Sequence, residues 1–137
     1  MPVEYGVSVE GLDELRKGLR KADKETAKAV SQAGKKAAEI VAEAARPRVP
    51  VRTGRARASL RAAVVNGGGA VKFGGAKVPY AAWLDYGGRV GRNKSVERPF
   101  RREGRIVYVA LAEKRAQVVA TYEQAVDDAL RAAGFRD

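Results

Sequence analysis

The stretch from Arg46 to Leu60, R-P-R-V-P-V-R-T-G-R-A-R-A-S-L, constrains the fold more than any other part of the sequence. Pro47 and Pro50 lack a backbone N–H and push the residues before them towards extended geometry, so a helix that reaches this point has to end. Thr53-Gly54 then favours a turn, because glycine tolerates positive φ and a threonine hydroxyl can bond to nearby backbone. The stretch therefore separates an alanine-rich helical half from a half that begins as a β-hairpin.

The same stretch is strongly basic, with five arginines between Arg46 and Arg57. A solvated connector and a functional loop both explain this composition. Over the whole chain, 27 Lys and Arg stand against 16 Asp and Glu, a formal net charge of +11. Such an excess favours an anionic partner, either nucleic acid or acidic neighbouring subunits.

Composition bounds the fold and the chemistry. A chain of 137 residues, 45% of them apolar, predicts a single domain over residues 1–137 with basic loops at about 46–58 and 89–103. The sequence has no His and no Cys, so the usual proton shuttle, thiol nucleophile and metal ligands are missing. We therefore expect neither an enzyme nor a cofactor. No apolar run is long enough to cross a membrane and no signal peptide is found, so we expect no membrane partner.

The first half predicts a strand and two helices. Glu4 to Val9 alternates as a short strand, and Leu12, Leu15 and Leu19 suit a short amphipathic helix. Asp23 is a candidate N-cap for a longer helix. That helix carries a stripe of small residues, which predicts close packing against a helix or a sheet: Ala27, Val30, Gly34, Ala37, Val41 and Ala44.

The second half predicts a hairpin and a closing helix. Leu60–Val65 and Ala70–Gly74 read as strands joined by a turn at Asn66–Gly69, since the glycine clusters match no phosphate-binding pattern. Tyr80, Trp83 and Leu84 fit one face of a short helix ending at Gly87, with a strand as the competing interpretation. We expect Trp83 in the core and Tyr86 nearer a subunit contact.

The rest of the chain is polar and then periodic. Arg89 to Glu103 is irregular and predicts a mobile basic loop. Ile106 to Ala133 is helical in its periodicity and Gly134 is a natural helix end, although Arg105 to Val109 could begin as a strand. The fold class is thus α+β: a short N-terminal strand, a long alanine-rich helix, a small antiparallel sheet with a β-hairpin, and a C-terminal helix.

Several motifs, taken in chain order, resemble the neck and tail-completion proteins of long-tailed bacteriophages. Two departures from that family are Asp85, where a glutamate is usual, and Arg55-Ala56-Arg57 after the Thr-Gly pair. The motifs that carry the resemblance are Gly11-Leu12-Asp13-Glu14-Leu15, Pro50-Val51-Arg52-Thr53-Gly54, Ser59-Leu60, Tyr80-Ala81, Leu84-Asp85-Tyr86-Gly87-Gly88 and Arg98-Pro99-Phe100.

The resemblance implies a structural virion protein, assembled in the bacterial host cytoplasm, that forms a homo-oligomeric ring. Such a ring completes the tail or joins it to the head, contacts neighbouring neck and tail proteins, and surrounds the channel through which genomic DNA passes. The implied subunit-interface candidates are Arg52, Thr53, Gly54, Arg55, Tyr80, Asp85, Tyr86, Pro99 and Phe100. The DNA-channel candidates are Arg89, Arg92 and Lys94. A free basic nucleic-acid-binding protein without sequence specificity is the alternative, although the aromatic residues do not alternate with the basic ones as in a stacking platform.

Overall fold

The computed structural model describes residues 2–7, 24–65, 68–90 and 96–132. An N-terminal strand, a long helix, a small antiparallel sheet and a C-terminal helix form the α+β fold that the sequence predicts. In chain order the elements are β1 (Val3–Val7), α1 (Lys24–Ala45), a 3-10 turn (Arg46–Arg48), α2 (Arg55–Ser59), β2 (Arg61–Val65), β3 (Gly68–Phe73), α3 (Ala81–Tyr86), β4 (Gly88–Val90), β5 (Val96–Arg98) and α4 (Val107–Ala132).

The long helix α1 packs its small-residue stripe against both the sheet and α4. Val30, Ala37 and Val41 are buried, and Ala44 at the end of the stripe is half-buried. The predicted close packing is confirmed. The Asp23 N-cap and the short helix around Leu12 to Leu19 fall outside the described residues.

Helix and sheet come closest at Gly34 of α1 and Gly69 of β3. A Cβ at Gly34 would stand 2.8 Å from the Gly69 amide nitrogen, and a Cβ at Gly69 would overlap the Gly34 carbonyl. Real Cβ atoms do not approach backbone so closely. Glycine at both positions therefore sets the distance between the long helix and the central strand.

The three-stranded sheet has the order β1-β3-β2 and is antiparallel throughout. Val71 and Phe73 of β3 are buried while Lys72 between them is half-exposed, so the predicted alternation of the return strand is confirmed. On the outer face, Lys72 lies 3.6 Å from Glu4 of β1, its cross-strand partner. The turn residues Asn66 and Gly67 fall outside the described part of the chain.

The proline-rich stretch ends α1 as predicted, but it is not a continuous loop. The helix stops at Ala45, Pro47 lies in the 3-10 turn, and the chain then turns at Gly54, whose φ is +82°. Residues 55–59 form the short helix α2 directly after that glycine. The Ala58 N–H donates to the Gly54 carbonyl at 2.9 Å, and five residues are too few to display a helical period in the sequence.

The predicted irregular loop from Arg89 to Glu103 is corrected by a pair of short strands. β4 and β5 pair antiparallel, with Arg89 opposite Glu97 and Val90 opposite Val96. Cross-strand pairs of this kind stabilise strands too short to show a period in the sequence. Arg92 and Lys94 lie between the strands, outside the described residues.

The closing helix α4 begins at Val107, which confirms the predicted helix and rules out a strand over Arg105 to Val109. Its buried face packs along α1. The residues of that face are Val107, Ala110, Val118, Tyr122, Val126 and Leu130. The predicted end at Gly134 lies beyond the described residues. Within the described ranges no helix has both the length and the apolar character that a bilayer crossing requires.

Candidate functional site

A groove of about 650 Å³ opens between the arginine-rich loop and the short helix α3. We call it the cationic groove. Its lining comes from four separate segments of the chain, and it brings together five of the interface candidates named from the sequence. The lining residues are Pro50, Arg52, Thr53, Gly54, Arg55, Ala56, Lys77, Tyr80, Trp83, Leu84, Val96 and Arg98.

The loop wall of the groove is held by hydrogen bonds within the subunit. The Arg57 guanidinium donates to the carbonyl of Val49 at 3.0 Å and to that of Pro47 at 3.4 Å. Ser59 Oγ donates to the Ala56 carbonyl at 2.6 Å and accepts the Gly74 N–H at 3.0 Å. The loop is thereby fixed to the end of β3, which gives the groove a defined shape.

Two of the arginines in the proline-rich stretch stabilise this loop instead of facing a partner. Arg57 bonds to backbone as described, and Arg46 donates to the Leu60 carbonyl at 3.2 Å. Arg48 forms an ion pair with Glu113 of α4. Arg52 and Arg55 are exposed and line the groove.

The opposite wall is aromatic. The indole N–H of Trp83 donates to the Gly88 carbonyl at 3.0 Å, and the Arg98 guanidinium carbon lies 5.7 Å from the indole centroid. Trp83, which we expected in the core, packs against the core cluster and is half-buried. Leu84 beside it is buried, and Tyr80 at the rim is 39% exposed.

The charge of the groove has one sign. Arg52, Arg55, Lys77 and Arg98 line it, and no acidic side chain does so in the part of the chain that the structure describes. Nε of Arg98 is buried and finds no hydrogen-bond acceptor among the described residues. The surface can therefore accept carboxylate or phosphate oxygens from outside the subunit.

Asp85 is not part of this surface, which corrects its assignment as an interface candidate. Its side chain is 0% exposed. Oδ2 accepts the Tyr5 hydroxyl at 2.6 Å, and Oδ1 accepts the backbone N–H groups of Arg105 at 2.8 Å and Ile106 at 2.9 Å. A carboxylate satisfied by three donors inside the subunit has no route to a neighbouring chain. We call this arrangement the Asp85 junction.

The Asp85 junction places a negative charge at the start of α4, the positive end of that helix's dipole. Burial, followed by the hydrogen bond to Asp85, raises the pKa of Tyr5 far above its ordinary value, so the phenol stays protonated. Gly104 completes the arrangement with a φ of +75°, and a Cβ there would overlap Asp85 Oδ1. The junction thus joins β1, α3 and α4.

Tyr86, Pro99 and Phe100 lie outside the lining of the groove. Tyr86 is half-buried and stacks on Tyr5, with ring centroids 6.3 Å apart. The pKa of Tyr86 is raised, mainly by burial and then by the charge of Asp85. Phe100 is 71% exposed, and the Pro99 carbonyl accepts a hydrogen bond from Arg105. Whether these residues contact a neighbour stays a prediction.

The DNA-channel candidates are described only in part. Arg89 is exposed and lies 3.5 Å from Glu97, so its charge is partly offset. Arg92 and Lys94 fall outside the described residues. In the ranges that the structure describes, no group of three or more acidic residues is arranged to hold a metal ion.

Sequence reasoning missed several residues of both sites. Lys77, Val96 and Trp83 line the groove without having been named as contact residues, and Arg98 was noted only as part of a motif. Lys77 could have been named as a contact residue from its position just before the aromatic helix α3. For Tyr5 and Gly104 in the Asp85 junction the sequence offers no signal, because their partners are distant along the chain.

A family model described as "HK97-gp10_like: Bacteriophage HK97-gp10, putative tail-component" matches residues 13–87, which is more than half of the chain. The matched region contains the loop wall of the groove, the hairpin and α3. β4, β5 and α4 lie beyond it. No curated protein matches the chain significantly, and no solved structure does.

Proposed function

The chain belongs to the HK97-gp10-like family of phage tail components, and we propose that it is a ring-forming structural subunit at the neck or tail end of the virion. Family membership confirms the resemblance to neck and tail-completion proteins that the sequence shows. The proposal adds a homo-oligomeric ring that completes the tail or joins it to the head, with DNA passing through its channel. The role is structural, with no catalytic step.

The cationic groove is the observation that supports a role in assembly. It gathers Arg52, Thr53, Arg55 and Tyr80 from two distant segments into one surface, as a protein contact requires. Its cations lack acidic neighbours within the groove. Exposed apolar residues accompany them, with Val51 59% exposed and Val96 48% exposed. Apolar groups beside exposed guanidinium groups suit an interface in which a partner covers both.

A ring also requires two different surfaces on each subunit, since head-to-tail contacts join unlike faces. Phe100, exposed beyond the groove, together with Pro99 and Tyr86, supplies a candidate for part of a second contact. Tyr86 belongs to the same short helix as Leu84, and Pro99 follows Arg98, so this second region borders the groove.

In this proposal, the segment from β4 to β5 faces the DNA channel. Positive charge on Arg89, Arg92 and Lys94 would attract phosphate without reading sequence, and salt would weaken the attraction because the Debye length is about 8 Å at physiological ionic strength. The Arg89–Glu97 pair reduces the net charge at this site. A weak, diffuse attraction suits a conduit, because tight binding would hinder DNA passage.

Sedimentation of the purified full-length chain, together with reconstruction of the virion, tests the proposal. We expect a large closed homo-oligomer in solution, or the protein in a ring around the channel of the particle. A chain that stays monomeric at every concentration and is absent from particles would contradict it.

Charge reversal separates the two proposed surfaces. The triple variant Arg89→Glu, Arg92→Glu and Lys94→Glu is expected to assemble into particles while altering DNA retention or ejection. Arg115→Glu, on the exposed face of α4, is the matched control and should change neither. Particles that fail to form with the triple variant, with unchanged DNA retention in the few that do form, would show that this region serves assembly instead.

A further inference from the structure

We propose that the cationic groove is a docking site for an acidic protein segment that carries a large apolar side chain. The segment is assigned to a different protein because this chain is itself basic, with a formal net charge of +11. The inference rests on the proposed function only in taking that protein to be another virion component.

Charge complementarity identifies the partner as acidic. Four cationic side chains from three separate parts of the chain line the groove: Arg52 and Arg55, Lys77, and Arg98. No described lining residue carries a carboxylate, so a partner that supplies carboxylates is complementary to the groove in charge. Arg52 and Arg55 are exposed at the groove and can each donate to a carboxylate.

The floor of the groove identifies the apolar component. Ala56, Trp83 and Leu84 provide apolar surface between the cations, and Val96 adds a half-exposed aliphatic side chain from β5. A groove of about 650 Å³ accommodates more than a single ion or water cluster. A segment of alternating acidic and apolar residues would satisfy both parts of the lining.

The same geometry argues against nucleic acid as the occupant. Proteins that bind single-stranded nucleic acid without sequence preference stack its bases on exposed aromatic rings. Arg98 already lies over the Trp83 ring at 5.7 Å, and the indole N–H is bonded to the Gly88 carbonyl. Trp83 is thus fixed in orientation and has one face occupied, which suits side-chain packing better than base stacking.

The shape of the loop wall favours a defined protein contact as well. Pro50 limits its conformations, and the hydrogen bonds from Arg57 and Ser59 fix it to the rest of the subunit. Arg52 and Arg55 are consequently presented from a pre-formed turn. Pre-organised donors lose less entropy when they bind carboxylates.

Binding of labelled acidic peptides to the full-length protein tests the inference. The probes are fluorescein-labelled octapeptides with glutamates on both sides of a central leucine, phenylalanine or valine. Matched peptides with glutamine in place of each glutamate, and with alanine at the centre, serve as ligand controls. An oligodeoxythymidylate of the same length represents nucleic acid.

We expect at least one acidic peptide with a large apolar centre to bind, and both control peptides to bind about tenfold more weakly. Arg55→Glu should weaken that binding by about tenfold, while Arg115→Glu should leave it unchanged. Tyr80→Ala at the rim should weaken it too, in line with loss of apolar contact.

Four outcomes would overturn the inference. These are no binding of any acidic peptide, equal loss with Arg55→Glu and Arg115→Glu, tighter binding of the oligodeoxythymidylate than of the peptides, and loss of self-association in Arg55→Glu without peptide binding. The last would assign the groove to a second copy of this chain. Sedimentation of the same samples distinguishes the two proposals. Peptide binding by a protein that stays monomeric would refute the ring alone. A ring that binds no peptide would refute the docking site alone.

Discussion

The Asp85 junction and the cationic groove are two charged regions of one small subunit, separated only by the short helix α3. In the junction a single carboxylate meets three donors of its own chain and is closed to solvent. The groove is lined by four cationic side chains and by no carboxylate among the described residues. The charge of the junction is satisfied inside the subunit, whereas the cations of the groove have no carboxylate among its described lining residues.

Each region also contains a glycine in the left-handed conformation, and the two glycines differ in their surroundings. Gly104 has a φ of +75°, and an added Cβ would overlap Asp85 Oδ1. Gly54 has a φ of +82°, with nothing within 4 Å of an added Cβ. The same backbone feature is therefore crowded in the junction and open in the groove.

Removing the carboxylate should have the largest effect on stability. Asp85→Ala leaves the Tyr5 hydroxyl and two backbone N–H groups without their acceptor, and α4 without a negative charge at its start. We expect the free energy of unfolding to fall by about 4 kcal/mol. Urea denaturation followed by circular dichroism measures the change. Asp128→Ala, on the exposed face of α4, should cost under about 0.5 kcal/mol. A loss below about 1 kcal/mol for Asp85→Ala would mean that the junction does not stabilise the fold.

The two glycines offer a matched pair of substitutions. Gly104→Ala combines left-handed backbone strain with displacement of the Asp85 carboxylate, and we expect it to cost about 3 kcal/mol. Gly54→Ala incurs the backbone strain alone and should cost about 1 kcal/mol. Thermal unfolding of both variants under the same conditions gives the comparison. Equal losses would show that the carboxylate moves aside freely.

Loss of the Tyr5 hydroxyl should have a smaller effect that depends on pH. Tyr5→Phe removes one hydrogen bond to Asp85 and should cost about 1 kcal/mol at neutral pH. Because the pKa of Tyr5 is raised in the fold, the unfolded chain releases the phenolic proton first as pH rises. That contribution is complete below the ordinary tyrosine pKa of 10.0 and declines above it. Stability measured above that pH should fall less steeply for Tyr5→Phe than for the parent chain. Parallel curves would contradict the assigned pKa shift.

Changes in the groove should have the smallest effect on the isolated subunit. Arg52→Ala and Arg55→Ala remove exposed cations from a region of like charge, so we expect changes within about 0.5 kcal/mol of zero. The measurement is urea denaturation of the free subunit at low and high salt. A large loss in either variant would place that arginine among the residues that hold the fold, and would remove the contrast between the two regions.

The main elements could be predicted because their signals are local. The small-residue stripe of α1 and the alternation of β3 follow from periods that a single segment displays. Pro47 and Pro50 end a helix wherever they occur. The short strands β4 and β5 were missed because three residues are too few for a period, and their pairing of Arg89 with Glu97 depends on the partner strand.

The groove and the Asp85 junction also differ in how far the sequence predicts them. Arg52, Thr53 and Tyr80 could be named from motifs, yet only the fold shows that Lys77 and Val96 face the same groove. The role of Asp85 could not be predicted at all. Its partner Tyr5 lies 80 residues away in sequence, and its other donors are backbone groups, which have no identity in the sequence.

The Asp85 junction joins residues far apart in the chain, so it can form only after most of the chain has been synthesised. Tyr5 is made early and Asp85 later, but the N–H groups of Arg105 and Ile106 reach the carboxylate only when most of the chain has been translated. Without those two donors, burial of the Asp85 carboxylate costs hydration free energy that the Tyr5 hydroxyl alone does not offset. A prematurely terminated chain would lack this closure and therefore one wall of the groove. A chain that ends before Arg105 lacks two of the three donors that the Asp85 carboxylate has in the complete fold.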